Sequence, residues 1–253
     1  MTSFLLVTLA GPMAAFGDLA GHERRGSADW AGRSALLGLA GAALGIDRAD
    51  AAGQAALAAG FGTGLRQLTQ GLPLRDFHTF QSVPSALAKA PRTRAAALEV
   101  AGRAAETSIT IRDYRSDVVF VAAFWIKGPS PRWTLEALQQ AFARPFYALW
   151  LGRKSCPLAA PLHPRIVTGV TLPDALRADP DGADGKLAEL LGPLAKAGCD
   201  RIVCDLDETV LPDPLPDGTD MRERFDEPAS RAAWTFRARR YVILPEPGKG
   251  AAA

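Results

Sequence analysis

Between Arg33 and Ile46 the chain reads Arg-Ser-Ala-Leu-Leu-Gly-Leu-Ala-Gly-Ala-Ala-Leu-Gly-Ile, an apolar segment carrying Gly38, Gly41 and Gly45. A helix interior loses roughly 1 kcal/mol for each glycine in place of alanine, so three in one short helix call for a compensating contact. The expected contact is close approach of the helix backbone to a sheet, with the glycines on the packed face. Arg33 and Ser34 then stand at the helix N-terminus, where unpaired backbone N–H groups and the helix dipole favour an anion such as a phosphate. Gly41 and Gly45 also match a membrane helix-pairing spacing, but about twelve apolar residues fall short of the roughly twenty that span a bilayer.

With 253 residues, 48% of them hydrophobic, the chain can bury a full core as one large domain or two small ones. Its net charge of +2 hides an asymmetry: residues 1–165 hold 18 Lys+Arg against 11 Asp+Glu, and residues 166–253 hold 11 against 16. A basic first part beside an acidic second part suggests a polyanion partner for the first. The plainer alternative is chance segregation in an Ala/Arg-rich chain. Cys156, Cys199 and Cys204 form no CxxC pair and are odd in number, which fits a reducing, cytoplasmic setting. Together with the scattered His22, His78 and His163 they make no four-ligand set with zinc spacing, so no metal or cofactor is expected. Phe4 to Phe16 imitates a signal peptide, yet no positive segment precedes it and Gly11-Pro12 interrupts it; a soluble chain is expected.

Phe4–Leu9 reads as a buried strand, followed by an irregular loop from Asp18 to Ala31 and then the glycine helix. Phe61–Leu68 is a second strand, and Arg75-Asp76-Phe77-His78-Thr79 falls in a loop. Ser82–Ala105, rich in Ala, Lys and Arg and broken by Pro84 and Pro91, reads as a protruding arm. Thr107–Tyr114 alternates like a half-exposed strand and Val118–Ile126 is a buried one. Thr134 is placed to cap a helix whose face is Leu135, Leu138 and Phe142, closed by Pro145. A further strand is expected within Ile166–Leu172. This β-α-β, β-α order is that of a split βαβ, or ferredoxin-like, α+β fold. Beyond about Leu176 the chain becomes rich in Pro, Asp and Gly, with an amphipathic stretch at Leu187–Leu194 and strands at Arg201–Leu206 and Ala233–Leu244, a smaller β-rich region.

Three constellations offer chemistry. Ile202-Val203-Cys204-Asp205-Leu206-Asp207-Glu208-Thr209 resembles the Asp-x-Asp-x-Thr signature of haloacid dehalogenase-like phosphatases, with Asp205 as nucleophile and Asp207 as acid/base. The loop-like remainder does not supply the Lys and acidic ligands that chemistry needs, so the pair reads better as a solvated acidic strand end. His78, with Tyr114 or Arg112, offers a general base for RNA cleavage; alternatively its ring stacks on a nucleotide or folds into its own loop. The basic groups are the most persuasive as a set. Arg112-Asp113-Tyr114-Arg115 and Gly152-Arg153-Lys154-Ser155 provide phosphate donors and an aromatic platform, the two ingredients of single-stranded RNA binding.

Several blocks occur in a telling order: Leu9-Ala10-Gly11-Pro12-Met13-Ala14-Ala15-Phe16-Gly17, the Arg33–Ile46 helix, Leu74-Arg75-Asp76-Phe77-His78-Thr79, Arg112-Asp113-Tyr114, and Leu151-Gly152-Arg153-Lys154-Ser155-Cys156-Pro157-Leu158. The series resembles the CasD family of the RAMP superfamily, the type I-E CRISPR Cascade subunits that hold the 5′ handle of crRNA. The likeness covers most of residues 3–160. Phe225-Asp226-Glu227-Pro228 extends it loosely, while the Asp-rich insert around Asp205–Asp220 departs from it. The resemblance implies a ferredoxin-like (RRM-like) palm in residues 1–175 with an inserted thumb at about 78–106, and a β-rich C-terminal region in 176–253. It implies a non-catalytic subunit that caps the handle and touches the repeated backbone subunits and the large PAM-recognising subunit, meeting target DNA only indirectly. A related type I-C subunit cleaves pre-crRNA, which keeps metal-independent endoribonuclease activity as the alternative. The RNA contacts expected are Arg24, Arg33, Ser34, Arg75, His78, Thr107, Arg112, Tyr114, Arg153, Lys154 and Ser155.

Overall fold

Phe4–Ala10 and Val118–Trp125 are apolar without alternation, the pattern of strands covered on both faces. A computed structural model describes residues 1–20, 23–84, 86–87, 92–178, 199–230 and 235–246, and puts these two segments side by side. The first lies in β1 (Thr2–Ala14) and the second in β6 (Glu106–Ile126), paired antiparallel from Leu5↔Phe124 to Ala14↔Arg115. On its other edge β1 pairs with β7 (Arg165–Gly169), and the far edge of β6 takes β4 (Phe61–Gln67), both antiparallel. The sheet continues past β4 through β8 (Arg201–Asp205), β10 (Thr235–Leu244) and the edge strand β9 (Asp220–Ser230). The result is a mixed α/β architecture built on one ten-stranded sheet, and the C-terminal strands belong to that sheet.

Both faces of the sheet are covered. Leu36, Leu39 and Ala40 of α1 (Arg33–Ala43), Leu57 of α2 (Ala51–Gly60), and Leu135, Leu138 and Phe142 of α4 (Leu135–Ala143) pack on Leu5, Val7, Leu9, Phe120, Ala122 and Phe124. The opposite face buries Phe4, Leu6, Val121 and Trp125 beneath Leu172 and Leu176 of α5 (Leu172–Ala178) and beneath Val210 and Leu211. Thr134 caps α4 as expected, its hydroxyl accepting from the Ala137 N–H at 3.2 Å.

The glycines of α1 are not on the sheet face. Gly38 faces open space, Gly41 lies against Leu57 of α2, and the sheet is met by leucine and alanine. Gly45 instead ends the helix: at φ +73° its N–H reaches Ala42 O and the Ile46 N–H reaches Gly41 O, the two-bond C-terminal closure that needs a left-handed residue.

Two loops of the sequence reading are strands. The Asp18–Ala31 stretch contains a hairpin of β2 (Phe16–Ala20) and β3 (Arg24–Ala28), with β3 running parallel to β6 at Arg24↔Ile111 and Arg25↔Arg112. Arg75–Thr79 lies in β5 (Leu72–Ser82), paired with the outer half of β6 from Leu72↔Ser116 to Ser82↔Glu106. Thr107–Tyr114 and Val118–Ile126 are therefore halves of one strand. β5 and the outer half of β6 form a two-stranded ribbon, and the arm, Ser82–Ala105, joins their ends; its described residues include α3 (Arg94–Ala101), whose Thr93 cap accepts from Ala96 N–H. Local composition misled here because β5, and β3 along its second edge, take backbone partners from β6, a segment distant in sequence. The Leu187–Leu194 stretch and His22 lie outside the described residues.

Asp205, expected at a solvated strand end, is 5% exposed. Its Oδ2 accepts from Arg33 Nη1 at 2.5 Å and from the Thr63 N–H at 2.9 Å, and its Oδ1 from Arg239 Nη1 at 2.8 Å. Arg239 also grips Asp226 in a two-pronged pair at 2.9 and 2.8 Å. Burial pulls the Arg239 pKa down, but the Asp226 hydrogen bond and the charges of Asp205, Asp226 and Glu227 outweigh it and raise the value above the arginine norm. Arg33 completes its own set on carbonyls at the end of α2, with Nη2 to Ala58 O at 2.5 Å and Nη1 to Phe61 O at 3.0 Å. This network ties α1, α2, β4 and β8–β10 together in a dry setting.

Removing one partner of such a buried pair strands the other. Arg33→Ala is expected to lower the unfolding free energy by about 3 kcal/mol, seen in urea melts as a lower midpoint at unchanged slope. Arg24→Ala, at an exposed pair, is expected to cost under about 1 kcal/mol.

Candidate nucleic-acid interface

Where the ribbon joins the main sheet, three strands and one loop bring basic side chains together. Asp113 of β6 stands directly opposite Arg75 of β5, and β3 delivers Arg24 from the other side. Arg75 Nε donates to Asp113 Oδ1 at 2.9 Å, and Arg24 donates to Oδ2 through Nε at 2.8 Å and Nη2 at 2.7 Å. The carboxylate is largely covered, at 15% exposure, while Arg24 and Arg75 remain 59% and 51% exposed. Desolvation pushes the Asp113 pKa up, but hydrogen bonds from Arg75 and Arg24 prevail and hold it below the ordinary aspartate range.

Strand alternation sends Arg112 and Tyr114 to the opposite side from Asp113. There the Arg153 guanidinium lies 4.6 Å from the Tyr114 ring centre, with Nη2 bonded to Arg25 O at 3.1 Å and Nη1 near Asp113 O at 3.4 Å. Tyr114 is 5% exposed, so its ring is a wall under the arginine and not an open platform. The loop carrying Arg153 is set by Gly152, at φ +90°, where a Cβ would come within 1.9 Å of Ala15 O. Bonds from Ala15 N–H to Leu151 O and from Leu151 N–H to Cys156 O anchor the same loop to the end of β1. Lys154 and Ser155 project from it into solvent, the Lys154 amine 5.5 Å from the Trp150 ring.

The remaining expected contacts lie further off. His78 sits on β5 and not in a loop; its Nε2 lies 2.5 Å from Asp76 Oδ2 in a charge contact that lacks hydrogen-bond geometry. Thr107 is exposed near the outer end of the ribbon, roughly 20 Å along β6 from Asp113. Ser34 is exposed in the first turn of α1, whose N-cap Gly32 supplies no side-chain bond. Arg33 is a correction: it is 7% exposed and faces inward, so its anion is Asp205 and it has no surface on which to meet a phosphate.

Asp207 follows the same inward logic. Its carboxylate accepts from Trp125 Nε1 at 2.8 Å and from the Thr209 hydroxyl at 2.6 Å; these bonds overcome desolvation and lower its pKa. Both carboxylates of the phosphatase-like motif are thus committed to structural bonds. Among the described residues no group of three or more His, Cys, Asp or Glu could hold a metal ion, and no helix is long and apolar enough to cross a membrane.

The sequence reading missed Asp113 as the ion between two arginines, and the Arg115–Asp29 pair beside it. The Arg-Asp-Tyr-Arg motif held the first residue in plain view, but its partners are 38 and 89 positions away.

Comparison with known proteins gives a consistent result. The family model described as CRISPR-associated protein (Cas_Cas5) matches residues 4–242. The CRISPR system Cascade subunit CasD of Escherichia coli (strain K12) is 33% identical over 171 residues, 64% of this chain and 70% of that protein. A chain of a CRISPR RNA-guided surveillance complex superposes with a TM-score of 0.60 at 21% identity, covering 96% of this chain and 89% of the other. A second structure, titled as a Cas protein, gives 0.52 at 24% identity, with 96% and 95% covered. These structural likenesses show a shared fold.

Two outcomes test the geometry. Gly152→Ala forces the loop away from Ala15 and should lower stability by about 2 kcal/mol while freeing Arg153 from Tyr114, read as altered Tyr114 ring shifts in NMR. For Asp113 the folded pKa lies below the unfolded one, so its pairing stabilises above the unfolded value and is lost only as pH falls through the folded one. A carboxyl NMR titration should therefore place its midpoint below 3.8.

Proposed function

From the premise that the chain belongs to the CRISPR-associated protein (Cas_Cas5) family, we propose that it is a non-catalytic subunit of a type I-E Cascade surveillance complex that holds the 5′ handle of crRNA. The observation that carries this reading is the convergence of Arg24, Arg75, Arg112 and Arg153 around residues 112–114 of β6, at the root of the ribbon. The exposed guanidinium groups of Arg24 and Arg75 and the half-buried ones of Arg112 and Arg153 give salt-sensitive purchase on a phosphate backbone, and the half-open surface suits a single strand. Lys154 and Ser155 extend the basic surface, with Ser34, His78 and Thr107 as outlying contacts.

The antiparallel order β7-β1-β6-β4, with α1 following β1 and α4 following β6, supports a ferredoxin-like, RRM-like palm in residues 1–175. The ribbon, with the stretch from about 78 to 106 at its outer part, is the thumb, and residues 176–253 add the β-rich C-terminal region. Exposed Phe77 and Ile109, diagonal neighbours on the ribbon where Phe77 pairs with Ile111 and Ile109 with Thr79, are an apolar surface suited to a neighbouring backbone subunit. The large PAM-recognising subunit is the other partner, target DNA is met indirectly, and the assembly works in the cytoplasm.

Arg112→Ala/Arg153→Ala removes two cations from the cluster. The double variant should bind repeat-derived handle RNA about tenfold to a hundredfold more weakly. Its log K against log salt plot should be shallower by about 1.4, as two lost phosphate contacts on a single strand require. Unchanged affinity across salt concentrations would sink the proposal.

The proximity of Asp76 to His78 motivates one alternative, a metal-independent endoribonuclease with His78 as general base. Incubation with repeat RNA in EDTA separates the two. No discrete product is expected; a product lost in His78→Ala would install the nuclease reading instead.

A further inference from the structure

The Arg24–Asp113–Arg75 triad is unusual for a surface meant to attract a polyanion, because the most central group in it is negative. A carboxylate and a phosphodiester each present two anionic oxygens to guanidinium donors. Asp113 offers one oxygen to each arginine, so it occupies the position between them that a backbone phosphate would otherwise take. Among the described residues Asp113 is the acceptor that both arginines use, through Nε and Nη2 of Arg24 and Nε of Arg75, and both side chains stay more than half exposed. The pairing also brings the three groups to a net +1 where two arginines alone would carry +2.

Resting on the RNA-binding reading above, we propose that Asp113 is a built-in competitor for the RNA backbone that sets selectivity. It withholds Arg24 and Arg75 from any passing phosphate chain. A strand bound by charge alone meets two arginines already compensated and must displace or share with the carboxylate. The handle is already held by the Arg112–Arg153 side and the loop, so it can meet that cost. The internal anion also replaces solution anions around the two arginines, so fewer counterions are released on binding and salt dependence is blunted.

Asp113→Asn removes the charge and keeps the shape. Full-length protein would be titrated with two labelled probes of equal length, an oligouridylate and a repeat-derived handle RNA, over a range of salt. The variant should bind oligouridylate about three- to tenfold tighter at low salt. Its salt plot should steepen by about 0.7 to 1.4, and handle affinity should rise less, so that the ratio of handle to oligouridylate affinity falls. Asp113→Ala should move the same quantities in the same direction, which guards against a local effect of the asparagine amide. In an Arg24→Ala/Arg75→Ala background the gain should vanish.

Unchanged or weaker oligouridylate binding at an unchanged salt slope in both Asp113 variants overturns the competitor role. A gain that persists without the two arginines overturns it as well, by showing a general charge effect. These failures leave the RNA-binding reading intact so long as Arg112→Ala/Arg153→Ala still weakens handle binding. If that variant binds the handle with unchanged affinity across salt concentrations, the RNA reading falls and takes this proposal with it.

Discussion

Everything in this fold is hung on one uninterrupted strand. β6 runs for 21 residues and pairs with β1, β3, β4 and β5. Its inner half is buried on both faces; its outer half is partly exposed and alternates. Between them Asp117 stands in the left-handed region, at φ +52°. The transition is fixed by Thr69, whose hydroxyl donates to Asp117 O at 2.6 Å and accepts from the Val119 N–H at 3.1 Å. Beside it Gly71, at φ +62°, passes so near Ser116 O that a Cβ would lie 2.3 Å away. Residues 112–115 fall at this junction, where β3, β5 and the 151–156 loop can all reach them.

Arginine serves two physically distinct ends here. Arg33 and Arg239 are largely buried, each held by three hydrogen bonds, and their worth lies in holding α1, α2 and the β8–β10 side of the sheet in register around Asp205. A charge that deep is expensive to uncover and of no use to a ligand. Arg24, Arg75 and Arg153 sit at the junction, where water still reaches much of the first two, so their pairs contribute little stability and can be exchanged. The same side chain is a structural pin in one place and a ligand donor in the other, and burial makes the difference.

The sequence was a good guide wherever the deciding physics is local. Burial on both faces favours apolar runs without alternation, and Phe4–Leu9 and Val118–Ile126 were legible as strands for that reason. Thr134 announced α4 because a cap acts within its own first turn. β3 and β5 were not legible: polar, short of β-branched residues and broken by turn formers, they are strands because β6 offers them a backbone edge. Arg33 was misassigned for the same kind of reason, since a helix N-terminus attracts anions in general and only the packing of β8 supplies Asp205 as the anion.

By itself, the sequence determined the apolar elements, the caps, the basic character of the first part and the ordered blocks that place the chain in its family. Those depend on neighbours within a few residues or on residue identity alone. Only the tertiary structure decided which arginines face water, which carboxylate each one meets, and that Asp113 stands between Arg24 and Arg75. Those outcomes turn on contacts between segments 38 to 172 positions apart, where the energy of a charge is set by its surroundings and not by its place in the chain.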